Sequence, residues 1–495
     1  MTHQKGHLSS HIWLKAILIL SFLVRILRID SRSIIYDDAF TILLSRKSFA
    51  DIVAGTAADT MPPLFYFLLH VWGMVSQNIV WLRLLPIIIS VISIWLFFLI
   101  VRIVVSEQAA LWSAGLAAIS PILYYHAQDV RMYALAVAFL LGYLWCFITL
   151  LRHDSSKLPV RAAVGFVLCG AGALYSHNLA GFALLIPNLY LLLRRDWVKQ
   201  GRLILMQILI MVLFTPWLFY LPDQLGKIQT AFWTPRPGFV EVFQAILQMT
   251  VNLPLPSGVL VIGSIFGVSA FVLSIFTCYR INLNGDSKLL LGIWMLSTPL
   301  LIFIISYLMR PLFVTRGFLI AVYGFLAISG TAIAHAVLKP VKWGLVTLFL
   351  GASIIGLVST ITQSEFPRSQ FLDVGRTLQL ESNDTIIIHE NKLSYFPMVY
   401  YFPDFKQVFL ADQAGSPNDT LAYGTQAALG IYPVQTWREA TNDEPRVTFV
   451  TFQQANDEYR EMGLLENPIV REMQEEFHLV SVELISDMVI YRLRR

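Results

Sequence analysis

"PPLFYFLLHVWGMVSQ" (residues 62–77) decides how this chain is threaded. The run is apolar, but it opens on Pro62 and Pro63, carries His70, and is short for a bilayer crossing, which takes about 20 residues of helix. Prolines fit the first turn of a helix, and a short apolar helix suits the membrane interface. If the run crossed, the parity of the remaining spans would put the N-terminus, with Lys5 and Lys15, on the outer side. Read as an interfacial helix, it leaves about eleven spans, an inner N-terminus, and a long first outer loop over about residues 29–80.

Composition supports a membrane protein independently. The 495 residues are 56% hydrophobic and only 14% charged, with a mean hydropathy of +0.64. Ordinary soluble domains are about a quarter charged. The net charge of +4 is too mild to argue for nucleic acid. Cys146, Cys169 and Cys278 all lie in apolar runs, with neither the number nor the spacing of a disulfide framework or zinc site. "WLKAILILSFLVRIL" (13–27) runs into charge rather than small residues and reads as a first anchor, not a cleaved signal.

The expected spans lie near 13–28, 80–103, 108–125, 131–151, 160–176, 179–194, 202–220, 257–279, 289–309, 314–336 and 342–362. Lys and Arg cluster in cytoplasmic loops. Here they gather at 151–161, 192–202, 279–288 and 338–343, every second loop, and parity places Arg102 on the same inner side. "HAQDVR" (126–131), "YSHNL" (175–179), the loop 221–238 and "MRPLFVTRG" (309–317) then face outward. After residue 363 the pattern becomes that of a soluble α/β domain. An amphipathic helix and a strand are expected within 366–390, a strand at 446–452, and a hairpin over 478–495 turning at Ser486-Asp487. The expected architecture is an all-α polytopic membrane bundle over residues 1–363, with the soluble α/β domain at 364–495 outside.

This threading collects scattered ionisable residues on one side: Asp37, Asp38, Asp129, Arg131, His177, Arg310 and Arg316. Such groups near membrane depth are costly and often functional. Each also has a plain structural reading. Asp37 and Asp38 could cap the helix they open, Asp129 could cap the next, Arg131 could snorkel, His177 could hydrogen-bond at the interface, and Arg310 and Arg316 could anchor helix ends. Together they suit transfer from a phosphorylated lipid. One carboxylate takes the proton of an acceptor hydroxyl, and guanidinium groups hold the departing phosphate.

In order along the chain stand "DD" (37–38), "MPPLFYFLLHVW", "SPILYYHAQDVRMYAL", "LYSHNLAGF", "TPWLFYLP" and "RPLFVTRGFLI". Over roughly residues 10–335 this series resembles the bacterial multi-pass glycosyltransferases of the C-type fold, family 39-like, relatives of the protein O-mannosyltransferases and of the aminoarabinose transferase of lipid A. The resemblance implies a polyprenyl-phosphate sugar donor and transfer on the outer face. It places the acidic pair at Asp37 and Asp38, with the first acid as base. The acid–arginine motif falls on Gln128, Asp129, Arg131 and Tyr133, and the late arginine on Arg316, near the donor phosphate. Three positions depart from the pattern: Asp38 where Glu is common, Met61 where His or Lys precedes the prolines, and Gly317 where tyrosine follows the late arginine.

The resulting expectation is an inverting glycosyltransferase in the plasma (inner) membrane, with its site and C-terminal domain extracytoplasmic. Asp37, Asp38 and Asp129 form the catalytic set. Arg131, Arg316 and Arg310 hold the donor phosphate, and Gln128, Tyr133 and His177 line the substrate. The partners are a polyprenyl-phosphate-linked sugar, the bilayer, and an acceptor glycan, lipid or protein. No cofactor is required, although Asp37, Asp38 and Asp129 could hold a divalent cation. The rival readings are a transporter or flippase of lipid-linked substrates and a polymerase or ligase of diphosphate-linked glycans. The lack of an internal repeat and the gathering of charge at one interface weigh against a transporter.

Overall fold

The computed structural model describes the whole chain except residues 1, 154–158, 231–233, 380–384, 414, 415, 417 and 442–443. The basic cluster expected at 151–161 therefore lies partly outside the described residues. Two compact units emerge. One comprises Met1–Ile29 with Thr60–Thr362, and the other Asp30–Asp59 with Gln363–Arg495.

The first unit is helical. Among the described residues, seven helices are long and apolar enough to cross a membrane: Ile79–Val104, Tyr133–Leu151, Trp197–Leu218, Ser257–Arg280, Gly285–Leu308, Thr315–His335 and Lys339–Thr362. Thr315–His335 is the most enclosed of them. Three other expected spans, near 108–125, 160–176 and 179–194, are shorter or broken, and proline stands at both breaks. The run near 108–125 divides into Glu107–Ala118 and Pro121–Ala127, and that near 179–194 into Ala180–Ala183 and Ile186–Arg194, with Pro187 in the first turn of the latter. Proline has no N–H to continue the preceding helix but is pre-set to start a new one.

The run at 62–77 forms the helix Leu64–Gly73. Ten residues of helix rise about 15 Å, half of the roughly 30 Å hydrocarbon layer. Trp72 stacks on Trp81 at 4.4 Å, and each indole N–H donates to the other residue's carbonyl, at 2.7 and 2.9 Å. That clasp joins the short helix to the start of Ile79–Val104, which Asn78 caps through the Val80 N–H.

A buried arginine sets the end of Glu107–Ala118. Arg25 donates to Ser21 Oγ (2.8 Å), Ser90 Oγ (2.9 Å), and the carbonyls of Ala117 (3.2 Å) and Ala118 (3.0 Å). A buried charge is tolerated when hydrogen-bonded in this way. Here the guanidinium also meets carbonyls that a helix C-terminus leaves unpaired, at the negative end of its dipole.

The second unit holds a five-stranded sheet: β1 (Ile386–His389), β2 (Gln407–Phe409), β3 (Arg446–Phe452), β4 (His478–Ile485) and β5 (Met488–Arg494), in the order β2-β1-β3-β5-β4. β1 pairs in parallel with β2 and β3, while β5 pairs antiparallel with β3 and β4. The expected hairpin turns at Ser486, whose φ of 58° gives the left-handed backbone that a tight turn needs. Alternation along the strands supplies two cores. Ile386, Ile388, Val447 and Phe449 pack with Trp437 and Phe477 on one face, and Ile387, Val450 and Phe452 with Phe371, Val374 and Leu378 on the other. The last three, spaced three and four apart, form the apolar face of the helix Phe371–Gln379.

Candidate active site

Asp37 and Asp38 sit in the first turn of the helix Tyr36–Ser45. The cap residue itself is Ile35, which offers no side-chain cap, so the acids complement the helix dipole without closing its end. Their surroundings come from the C-terminal part of the same unit. Tyr36 meets Phe396 edge-on at 5.1 Å, the Ile34 N–H donates to the Tyr401 hydroxyl at 3.1 Å, and the Thr425 hydroxyl donates to the Gly55 carbonyl at 3.0 Å.

The two acids are treated differently. Asp38 is fully buried and accepts from Arg368, itself buried, at 3.1 Å. The same Arg368 nitrogen donates to the Ser33 carbonyl at 2.8 Å. Arg368 is itself held in place: the Asp487 carboxylate accepts from the neighbouring Phe366 N–H (2.6 Å) and Ser369 hydroxyl (2.8 Å). Asp37 is only half-buried. Sequence reading missed Arg368, because nothing local marks an arginine 330 residues away as the partner of an acid.

In the first unit, the link 128–132 between Pro121–Ala127 and Tyr133–Leu151 carries the acid–arginine motif. Asp129 is buried and contacts His126 Nδ1 at 2.9 Å. Arg131 is buried and donates to the Tyr66 hydroxyl of the short helix at 3.3 Å. Gln128 is engaged with the backbone. Its Nε2 donates to the carbonyls of Arg25 (2.7 Å) and Leu27 (2.8 Å), so it sets the position of the motif.

Tyr133, His177, Leu179, Arg316 and Gly317 line one cavity. Tyr133 lies 5.2 Å from the His126 ring and 5.9 Å from the His177 ring, which joins the motif to that cavity. His177 is just beyond the helix Val160–Ser176. Burial first, then the fields of Arg131 and Arg316, push its pKa down to about 3, so the ring is neutral at physiological pH. The Leu179 N–H donates to its Nδ1 at 3.1 Å, leaving Nε2 to carry the ring proton. A Cβ on Gly317 would stand 2.6 Å from Leu179 Cδ1, so a tyrosine there would require Leu179 to turn away. Arg310 lines a different cavity, and the two cavities share no lining residue.

The cluster thus offers two guanidinium groups acting on one buried neutral imidazole, an arrangement suited to an oxyanion and poor for a cation. Among the described residues, no three His, Cys, Asp or Glu side chains gather as a metal-binding set.

Comparison with known proteins agrees with this geometry. Residues 60–220 match the dolichyl-phosphate-mannose-protein mannosyltransferase family, a stretch that includes the short helix, the acid–arginine motif and His177. No curated protein sequence matches the chain. Among solved structures, ArnT from Cupriavidus metallidurans in the apo state is similar with a TM-score of 0.66 at 13% identity, over 98% of both chains. The same protein bound to undecaprenyl phosphate gives 0.64 at 13% identity, over 97% of this chain and 98% of that one. The Archaeoglobus fulgidus oligosaccharyltransferase tethered to an acceptor peptide gives 0.53 at 12% identity, over 97% of this chain and 74% of that one. The fold is that of the C-type glycosyltransferases, a multi-span membrane bundle with an appended sheet domain. The matched segment is similar to the mannosyltransferase family in the region where the ordered motifs carry their resemblance.

Proposed function

We propose that the chain transfers a sugar from a polyprenyl-phosphate donor to an acceptor hydroxyl on the extracytoplasmic face, with inversion at the anomeric carbon. The observation that carries this reading is one cavity lined by Tyr133, His177 and Arg316, joined through Tyr133 to the buried acid–arginine motif. The similar ArnT structure that holds undecaprenyl phosphate supports a lipid monophosphate as the leaving group. In a single displacement the acceptor oxygen bonds to the anomeric carbon as the bond from that carbon to the phosphate oxygen breaks. The acceptor proton passes to a carboxylate, and the phosphate leaves as an anion. Arginine suits the leaving phosphate, because charge grows there as the bond breaks and interactions that strengthen in the transition state raise the rate.

Asp37 takes the role of base, since it is the half-buried member of the pair and Asp38 is committed to Arg368. Asp129, in contact with His126, orients rather than abstracts. The acceptor is a glycan, a lipid or a protein, and the transfer proceeds without added metal. The test is release of labelled sugar from a synthetic polyprenyl-phosphate donor, with chelator present. Asp37→Asn should lower turnover by about 10²–10⁴-fold, the usual worth of a positioned base. Arg316→Ala should lower it by about 10²–10³-fold, as removal of an oxyanion donor does. Undiminished turnover in folded Asp37→Asn protein would sink the base assignment, and loss of turnover with chelator alone would bring in a cation held by carboxylates. The sidedness has its own check: a thiol-reactive reagent that cannot cross the membrane should label Asn78→Cys from the extracytoplasmic side.

A further inference from the structure

The two edges of the sheet are finished differently. β2 is only three residues long, and the parallel bridge from Leu410 to Val434 continues it. β4, at the other edge, runs for eight residues, His478–Ile485, and carries no lysine, arginine or proline. Among the described residues, no backbone hydrogen bond joins residues 478–485 to anything but β5. An edge strand left open in this way is a template for another strand.

The side chains agree. Leu479, Val482 and Leu484 stand opposite Leu493, Tyr491 and Val489, so all three share one face of the sheet. They are 40%, 52% and 58% exposed, and Val480, at the bulge, is 64% exposed. The one carboxylate, Glu483, belongs to the opposite face, where Arg492 donates to it at 2.8 Å. A row of exposed aliphatic side chains beside open backbone groups marks a contact surface.

The residue pattern identifies the occupant. Turned about a two-fold axis through Val482, the strand matches itself: Val482 meets its own counterpart, Val480 falls beside Leu484, and Ser481 beside Glu483. Apolar residues meet apolar ones and polar meet polar. An axis at Glu483 would set two carboxylates opposite each other, which is destabilising. Directly opposite residues in an antiparallel pair exchange both hydrogen bonds or neither, so a residue facing its counterpart fits the ladder from both sides. A bilayer surface would cover the side chains but leave the backbone groups unpaired.

We propose that β4 pairs antiparallel with β4 of a second copy, about a two-fold axis at Val482, joining the two sheets edge to edge. A strand pair buries less than the about 800 Å² per partner of a standard interface, so the association belongs to chains confined to one bilayer, where encounter is concentrated. The pairing goes beyond sugar transfer, and β4 carries none of the residues proposed for that reaction.

The test uses the full chain in native membranes, oxidised with copper phenanthroline and resolved as monomer or dimer on a non-reducing gel. The parent's Cys146, Cys169 and Cys278, all in apolar runs, set the background. Opposed Cα atoms in an antiparallel ladder stand about 4.5–5.5 Å apart, within disulfide reach, so Val482→Cys should cross-link to a dimer. Two Leu484 residues in this register lie four positions apart, about 14 Å, beyond that reach. Leu465, 98% exposed and outside the sheet, gives the collision control. Leu484→Cys and Leu465→Cys should each yield about tenfold less dimer than Val482→Cys. Leu484→Lys, added to Val482→Cys and melting with it, should lower the dimer by about tenfold, since lysine on an edge opposes pairing. Cross-linking of Val482→Cys no stronger than that of Leu465→Cys would overturn the pairing, and an extended peptide as the true occupant would give that result. Equal cross-linking at Leu484 would overturn the axis at Val482.

Discussion

Asp38 and Arg368 form an ion pair with both partners out of water. Such a pair adds little compared with a well-packed apolar pair, but removing one member strands the other, at a cost of about 3–5 kcal/mol. Arg368→Ala should therefore lower stability by about that amount, and Asp38→Leu with Arg368→Met should recover most of it. Denaturant melts of the full chain monitored on the second unit would decide, and a single variant as stable as the parent would refute the pairing. Histidine gives the pH signature. His389 is buried between Ser394 and Gln407, and burial lowers its pKa to about 3. The unfolded chain, with an ordinary value near 6.5, binds more protons between those limits, so stability falls as pH drops below about 6.5 and is flat above it. The slope approaches about 1.4 kcal/mol per pH unit for each such histidine. His389→Gln should flatten the loss of melting temperature between pH 7 and pH 5, and an unchanged slope would count against this account. The structure places Asp129 against His126, Arg131 against Tyr66, and Tyr133 in the lining of the His177 cavity. Motif membership alone does not reveal that the Gln128 amide donates to the carbonyls of Arg25 and Leu27.

At the scale of elements, hydropathy located the apolar helices but not their breaks. Pro121 and Pro187 divide runs that look continuous in composition, and only the geometry of a missing N–H distinguishes a new helix from a kinked one. The strands were legible through alternation, with β1, β3 and the β4–β5 hairpin lying where it predicted them. β2 escaped because its three residues, Gln407–Phe409, are too few to show a period. Close helix packing was also unannounced. Gly330 in the helix Leu319–His335 faces Ser113 in Glu107–Ala118, and a Cβ there would stand 2.5 Å from the Ser113 nitrogen and 2.7 Å from its Cα. Backbone cannot yield as a side-chain tip can. Gly330→Ala should force the helices apart at a cost of about 1–3 kcal/mol, seen as a lower melting temperature and a smaller folded fraction on size exclusion. A variant that melts with the parent would show that the crossing has slack.

For the whole molecule, the informative fact is which residues are compact together. Sequence order suggested a first loop belonging to the membrane bundle and an appendage at the end. Instead Asp30–Asp59 groups with Gln363–Arg495. No local pattern could show this, because the contacts are made between chain segments more than 300 residues apart, through groups such as Ser33, Tyr36, Gly55 and Arg368. A chain ending at residue 363 should therefore leave the segment around Asp37 open to limited proteolysis and lose at least as much turnover as Asp37→Asn. Wild-type protection of residues 30–59 in that shortened protein would contradict the grouping.

The separation of Asp38 from Arg368 also has a consequence in time. A ribosome delivers the acid pair within the first tenth of the chain and the arginine only after most of it. Through most of synthesis, Asp38 has yet to meet the group that neutralises it, and the loop cannot adopt its buried form. Domains form as their last necessary piece emerges. Asp38 thus reaches its paired, buried form only once Arg368 and the segments that hold it have emerged, so a prematurely terminated copy would enter the membrane without that ion pair.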